Sequence, residues 1–332
     1  MLTTAYTELV GCRLPIQQAP MGSVVTPELV VAVAEAGGVG SLTAHGMSPD
    51  ALAALLDRLT AATRGAIAVN FITGDVDPAA VEVAARRVRI VDFFWRDPDP
   101  VVIEVAHSAG ALVSWQVGSV AEARAAVDAG ADIVAAQGAD GGGHVRGHSA
   151  MLPLLVAVLD AVDVPVLAAG GIADPRGLAA VLAAGAAGAR IGTRFIATAE
   201  SGAHPEYVAA LLAAGPGSTE VTGAFANCPL CATSPRARVL RSAIAAVDGL
   251  DEDVVGTMVM GGREQPVPRR FGMPPSRAVT GRIDAMPLYA GEGVMLVESV
   301  EPAGALARRL AEGAERLLRS SAAVATVAGG QA

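Results

Sequence analysis

The sequence predicts an α/β fold: a (β/α)8 barrel carrying a smaller, mostly helical segment inserted before its last helix. Three observations carry this. Short apolar runs alternate with alanine-rich helical stretches, without a break, from Leu14 to Ile191. The runs are continuously apolar, as strands buried on both faces must be. The chain of 332 residues exceeds the roughly 250 of a barrel by the size of an appendage. Strands alternating with helices of that length form parallel βαβ units, and eight in succession favour closure over a doubly wound open sheet.

The predicted strands, in order, are Leu14–Ala19, Val39–Leu42, Ala66–Phe71, Ile90–Trp95, Leu112–Gln116, Asp132–Ala136, Val164–Ala169 and Gly188–Ile191. Helices fit between them at Pro27–Ala36, Pro49–Ala62, Pro78–Arg87, Pro98–Ser108, Val120–Ala129, Ala150–Ala161 and Pro175–Ala184. Several helices run into an Ala-Gly pair, at Gly37, Gly110, Gly130 and Gly185. Glycine just past the last turn is the expected helix stop. Gly37-Gly38-Val39-Gly40 precedes a strand instead of opening a helix, so it is no dinucleotide fingerprint. After residue 200 the rhythm breaks. Val300–Leu318 supplies the last helix, with Leu306, Leu310 and Leu317 set against a charged face. The predicted division is therefore a barrel from 1–203 with 291–320, an inserted lid or substrate wall over 204–290, and a flexible tail at 321–332.

Composition narrows the function. Hydrophobic residues make up 52% of the chain, so a large core is available, and a net charge of -9 argues against nucleic acid or an anionic membrane as partner. All 24 basic residues are arginine. Without lysine there is neither a Schiff base nor a P-loop. Three cysteines suit a reducing cytosol and no disulfide framework. Cys228-Pro-Leu-Cys231 lacks a second half for a zinc site. No secretory signal or spanning run is visible, so a cytoplasmic protein is expected.

Four strand ends carry polar or glycine-rich loops, where a barrel places its chemistry. Gln17-Gln18-Ala19-Pro20-Met21-Gly22 ends the first strand and lets a flat ring approach backbone at Gly22. Asn70 closes the third. Gln137-Gly-Ala-Asp140-Gly-Gly-Gly-His144 follows the sixth and presents an imidazole, which titrates near neutrality and suits proton transfer. Gly170-Gly171 and Arg190-Ile191-Gly192-Thr193 follow the seventh and eighth, where barrels commonly cradle phosphate. Each feature also has a plain structural reading, as a turn, a cap or a core contact. Among the other histidines, His45 follows the second strand and faces the same rim, His148 lies close to His144 and either assists it or is simply exposed, His107 ends a helix, and His204 opens the insert. No carboxylate or histidine cluster marks a metal site.

In order and spacing, Pro15–Gly22, Val69-Asn-Phe71, Val113–Gly118, Gln137–His144, Ala168–Ile172 and Ile191–Phe195 resemble the nitronate monooxygenase family. A weaker echo follows at Tyr289–Gly293. The resemblance implies FMN on a TIM barrel, with Met21 and Gly22 under the flavin. It implies further contacts at Asn70, Gln137, Gly142, Gly171 and Arg190, Ile191, Gly192 and Thr193, with His144 as the catalytic residue. The implied reaction oxidises an alkyl nitronate with O2 to a carbonyl compound and nitrite. Two positions depart from the family pattern: Asp140, where glutamate is usual, and Val145-Arg-Gly-His148. The chain is also similar to FMN- and NAD(P)H-dependent enoyl-acyl carrier protein reductase II, whose substrate is an enoyl thioester, and quinone reduction uses the same scaffold. Arg236, Arg238 and Arg241 form either a carrier-binding rim or a solvated face. A barrel that only binds a metabolite is a further alternative. The partner expected is a small molecule, and a homodimer is compatible with this reading.

Overall fold

The computed structural model describes residues 2–44, 46–72, 76–227, 236–260 and 262–329. Eight parallel strands close into a barrel: Ile16–Gln18, Val39–Thr43, Ala66–Ile72, Ile90–Phe94, Leu112–Val117, Ile133–Gln137, Val166–Ala169 and Gly188–Ile191. The last pairs with the first, Gln17 beside Arg190, which completes the ring. These are the runs the sequence predicts, within a residue or two at the ends. Burial is near-complete along every one of them, because both faces are covered.

Outside the barrel, helices pack their apolar stripes onto the strands. Leu29 and Val33, Leu52 and Leu56, Val81, Ile103, Leu155, Leu178, Leu306 and Leu310 belong to one continuous core. The predicted stop glycines Gly37, Gly110, Gly130 and Gly185 all have φ between 96° and 109°. The last helix, Ala303–Gly329, packs between helices Pro27–Ala36 and Pro175–Ala183 and so closes the outer ring. A short helix, Ala5–Val10, capped by Thr4, plugs the amino-terminal end of the barrel. Its Tyr6 and Val10 meet Val39, Ile90, Ile133 and Leu167 from below.

The segment between the eighth strand and the last helix is mixed, not mostly helical. Among its described residues it holds α-helices Thr193–Ile196, Pro205–Leu212 and Arg241–Asp248 and five strands. Thr219–Thr222 and Ala237–Leu240 form one sheet with Gly143–His144 from the loop after the sixth barrel strand. Val254–Met260 is the centre of a second sheet, flanked by Arg263–Pro268 and Val279–Gly281. Arginines and prolines hid these strands in the sequence. Arg236 and Arg238 alternate with the buried Ala237 and Val239, and Pro266 and Pro268 sit on an edge strand, where a missing N–H breaks no central ladder. A second core of Tyr207, Phe225, Val239, Val247, Met258 and Leu288 holds the segment together. Among the described residues no helix is long and apolar enough to cross a membrane.

Candidate active site

At the carboxyl ends of the strands lies a cavity of about 790 Å³, within the usual range for a small-molecule or cofactor site. The residues that the family resemblance assigns to cofactor and catalysis all line it: Met21, Gly22, Asn70, Gln137, Gly142, His144, Gly171, Arg190, Ile191, Gly192 and Thr193. The inserted segment supplies the far wall with Tyr207, Phe271–Pro274 and Tyr289.

The floor is polar and dry. Arg190, on the eighth strand, pairs with Asp92 from the fourth, both essentially without solvent contact. Its Nη1 also donates to Gln116 Oε1 at 2.8 Å, and its Nη2 to Ser114 Oγ at 2.9 Å and Gln17 Oε1 at 3.2 Å. Asn70 Nδ2 donates to Asp92 Oδ2 at 2.7 Å. A carboxylate costs several kcal/mol to bury unless paired, and in a chain without lysine arginine is the partner left. Asp92 went unnoticed in the sequence reading. Its signal is a lone carboxylate in the otherwise apolar strand Ile90-Val-Asp-Phe-Phe94.

Above this network several buried polar atoms have no partner: Asn70 Oδ1, Gln137 Oε1, Arg190 Nε and Thr43 Oγ1. Each unpaired buried group costs about 1–3 kcal/mol. The four belong to residues that line the one cavity. Two amide oxygens and one guanidinium N–H complement the edge of a planar heterocycle bearing both N–H and C=O groups.

His144 stands on the short strand that pairs with Ala237 and Arg238 of the insert, so barrel loop and wall are one sheet. Gln137 Nε2 donates to its carbonyl at 3.0 Å. Its ring lies between Trp95, edge-on at 5.5 Å, and Tyr289, tilted at 5.5 Å. Trp95 has a φ of 69°, a left-handed conformation uncommon for an aromatic residue. The sequence reading missed both aromatics as neighbours of the histidine. Tyr289 is held in turn by its hydroxyl, which donates to Gly272 O at 2.8 Å.

Close approach explains one of these glycines and a left-handed backbone the other. A Cβ at Gly142 would meet Gly291 N at 2.5 Å and Thr193 Oγ1 at 3.0 Å. Thr193 Oγ1 accepts the Gly291 amide at 2.9 Å, which ties the loop after the eighth strand to the returning chain. Gly171 has a φ of 65° and faces Asp140, whose Oδ2 lies 3.5 Å from its ideal Cβ position. The Asp140 carboxylate accepts from Met151 N at 3.2 Å and so caps helix Met151–Leu159, whose own N-cap residue, Ala150, offers no side chain for it. Burial pushes the Asp140 carboxyl above its ordinary value.

Two other histidines hold structural contacts. His107 Nε2 contacts Asp132 at 2.8 Å, and His204 caps helix Pro205–Leu212 through Nδ1. His148 meets Arg236 at 3.0 Å. His45, Cys228 and Cys231 lie outside the described residues. Among the described residues no group of side chains is arranged to hold a metal.

A sequence model of the nitronate monooxygenase family matches residues 3–81 and 79–313. The chain is 40% identical, over 67% of its length, to a Mycobacterium tuberculosis protein named (3aS,4S,5R,7aS)-5-hydroxy-7a-methyl-1-oxo-octahydro-1H-indene-4-carboxyl-CoA dehydrogenase. It is equally identical to the Rhodococcus jostii protein of that name, over 60% of its length. These matches span 63% and 57% of the two relatives' own lengths. It is 33% identical to a nitronate monooxygenase of Pseudomonas aeruginosa, over 63% of this chain and 74% of that one. Among solved structures, FabK from Thermotoga maritima superposes with a TM-score of 0.81 at 28% identity, covering 98% of this chain and 100% of that one. A nitroalkane oxidase from Streptomyces ansochromogenes gives 0.74 at 31%, covering 96% and 99%.

Proposed function

The chain belongs to the nitronate monooxygenase family and is an oxidoreductase, and on that premise we propose that it binds FMN and oxidises an alkyl nitronate with O2 to a carbonyl compound and nitrite. One observation carries the reading: His144 faces the same cavity as the unpartnered Asn70 Oδ1, Gln137 Oε1 and Arg190 Nε. The residues fit the cofactor. The two amide oxygens would accept from a ring N–H, the guanidinium would donate to a ring carbonyl, and Gly22 and Met21 would lie against a flat face. Gly171, Gly192 and Thr193 line the place where a barrel holds phosphate.

Bound FMN supplies electron acceptance from the substrate and electron return to dioxygen. The chain's own part is position, dryness and one proton. His144, fixed between Trp95 and Tyr289, takes the proton from the carbon of a neutral nitroalkane, or as imidazolium holds a nitronate already formed. Tyr289, Phe271 and Met273 cover the substrate side and keep water out.

A second reading, oxidoreduction of an acyl or enoyl thioester, is favoured by the two relatives at 40% identity and by the FabK superposition. Of the three arginines weighed as a carrier-binding rim, Arg238 pairs with Glu292, Arg241 pairs with Glu220, and Arg236 meets His148. Aerobic turnover of an alkyl nitronate separates the two. Nitrite accompanied by the matching carbonyl product is expected, and nitronate left unconsumed by flavin-loaded protein would refute the proposal.

A further inference from the structure

The buried ion pair under the cavity does more than fill the barrel. Arg190 has five donor hydrogens. Those on Nη1 and Nη2 are directed to Asp92, Gln116, Ser114 and Gln17. Nε, the atom nearest the backbone of that strand end, is the nitrogen left without a partner. Asp92 spans the guanidinium, one oxygen to each Nη, and is fixed from its other side by Asn70 Nδ2. Asn70, which lines the same cavity, thereby has its own Oδ1 left over without a partner. One carboxylate thus sets the rotamers of two cavity-lining side chains and cancels the charge of one.

From this we infer that Asp92 is a positioning residue that aims Arg190 Nε and Asn70 Oδ1 at the pyrimidine edge of the flavin and tempers the positive charge Arg190 presents there. The inference rests on the flavin reading above. Asp92 touches neither cofactor nor substrate; it acts through its two partners. Reduction adds negative charge to the ring, and in a water-excluded site such charge is strongly felt. With Asp92 ionised, the ring faces an ion pair; with a neutral isostere, it faces an uncompensated cation. Asp92 therefore keeps the bound cofactor harder to reduce than Arg190 alone would make it.

The test is the two-electron reduction potential of bound FMN in wild type and Asp92→Asn, with FMN affinity measured alongside. Asparagine keeps an oxygen for Arg190. The variant is expected to favour the reduced cofactor about tenfold more than wild type, a rise of about 30 mV for a two-electron couple. The double variant Asp92→Asn with Arg190→Gln, which removes both charges, is expected not to exceed wild type. An Asp92→Asn potential that is unchanged or lower overturns the inference, as does a raised one in the double variant. If Asp92→Asn does not fold, Gln116→Glu adds a carboxylate at Nη1 and probes the same balance in reverse: a lowered potential is expected, and an unchanged or raised one is contrary. Wild-type protein that binds no FMN would instead sink the cofactor reading itself.

Discussion

His144 is the residue to which the proposed reaction assigns the proton, and its surroundings say what replacing it does. Trp95 and Tyr289 hold the ring from two sides, so His144→Ala removes a proton acceptor without disturbing the floor beneath the cavity. The expected loss in kcat/KM for a neutral nitroalkane is about 10²–10⁴-fold, with FMN content unchanged; full activity in that variant refutes the assignment. Gly142→Ala acts differently. Its Cβ would run into the backbone at Gly291 and Ala290, so the loop must shift, at a cost of about 1–3 kcal/mol. FMN affinity and thermal stability are expected to fall together. The lining residues were legible because polar or glycine-rich loops interrupt an apolar strand rhythm. Asp92, Trp95 and Tyr289 were not: nothing local marks a carboxylate inside a strand as one member of a pair made 98 residues away.

The elements that carry these residues are joined at a few charged nodes. Glu301, just before the last helix, accepts from Arg309 and from the buried Arg194, which follows the eighth strand. The hydrogen bond from Arg309, aided by the charge of Arg194, holds its carboxyl below the ordinary 4.5, against the opposing effect of burial. A depressed carboxyl stabilises the fold fully above its unfolded value, and the contribution disappears as pH falls through the folded one. Glu301→Gln is therefore expected to cost about 1–3 kcal/mol at neutral pH. Unfolding measured across pH should show that gap closing below about 4.5; a gap independent of pH would contradict the ion-pair account. Asp140→Ala removes the borrowed cap of helix Met151–Leu159 and is expected to cost about 1 kcal/mol. Hydrogen exchange in the first turn of that helix checks it. The barrel strands could be placed from sequence because burial on both faces imposes an unbroken apolar run. The strands of the insert could not, since arginines and prolines break their apolar pattern and one partner strand lies far off in the chain, Gly143–His144 pairing with Ala237 and Arg238.

For the molecule as a whole, the unpartnered atoms above the Asp92–Arg190 pair make the cavity costly when empty and stabilising when filled. FMN at about 100 times its dissociation constant should add roughly 2.7 kcal/mol to folding stability, so stripping the flavin lowers Tm and adding FMN restores it. A Tm indifferent to FMN contradicts the fit. The insert completes the molecule by joining the His144 loop into its own sheet. Fold and cofactor still leave a choice of substrate, and one anaerobic experiment decides it. Purified, flavin-loaded protein is mixed separately with an alkyl nitronate, NADH and NADPH while the oxidised flavin absorbance near the usual visible maximum is followed. Rapid bleaching by nitronate, with neither nicotinamide effective, is the predicted result; rapid bleaching by NADH or NADPH, with nitronate inert, would contradict it.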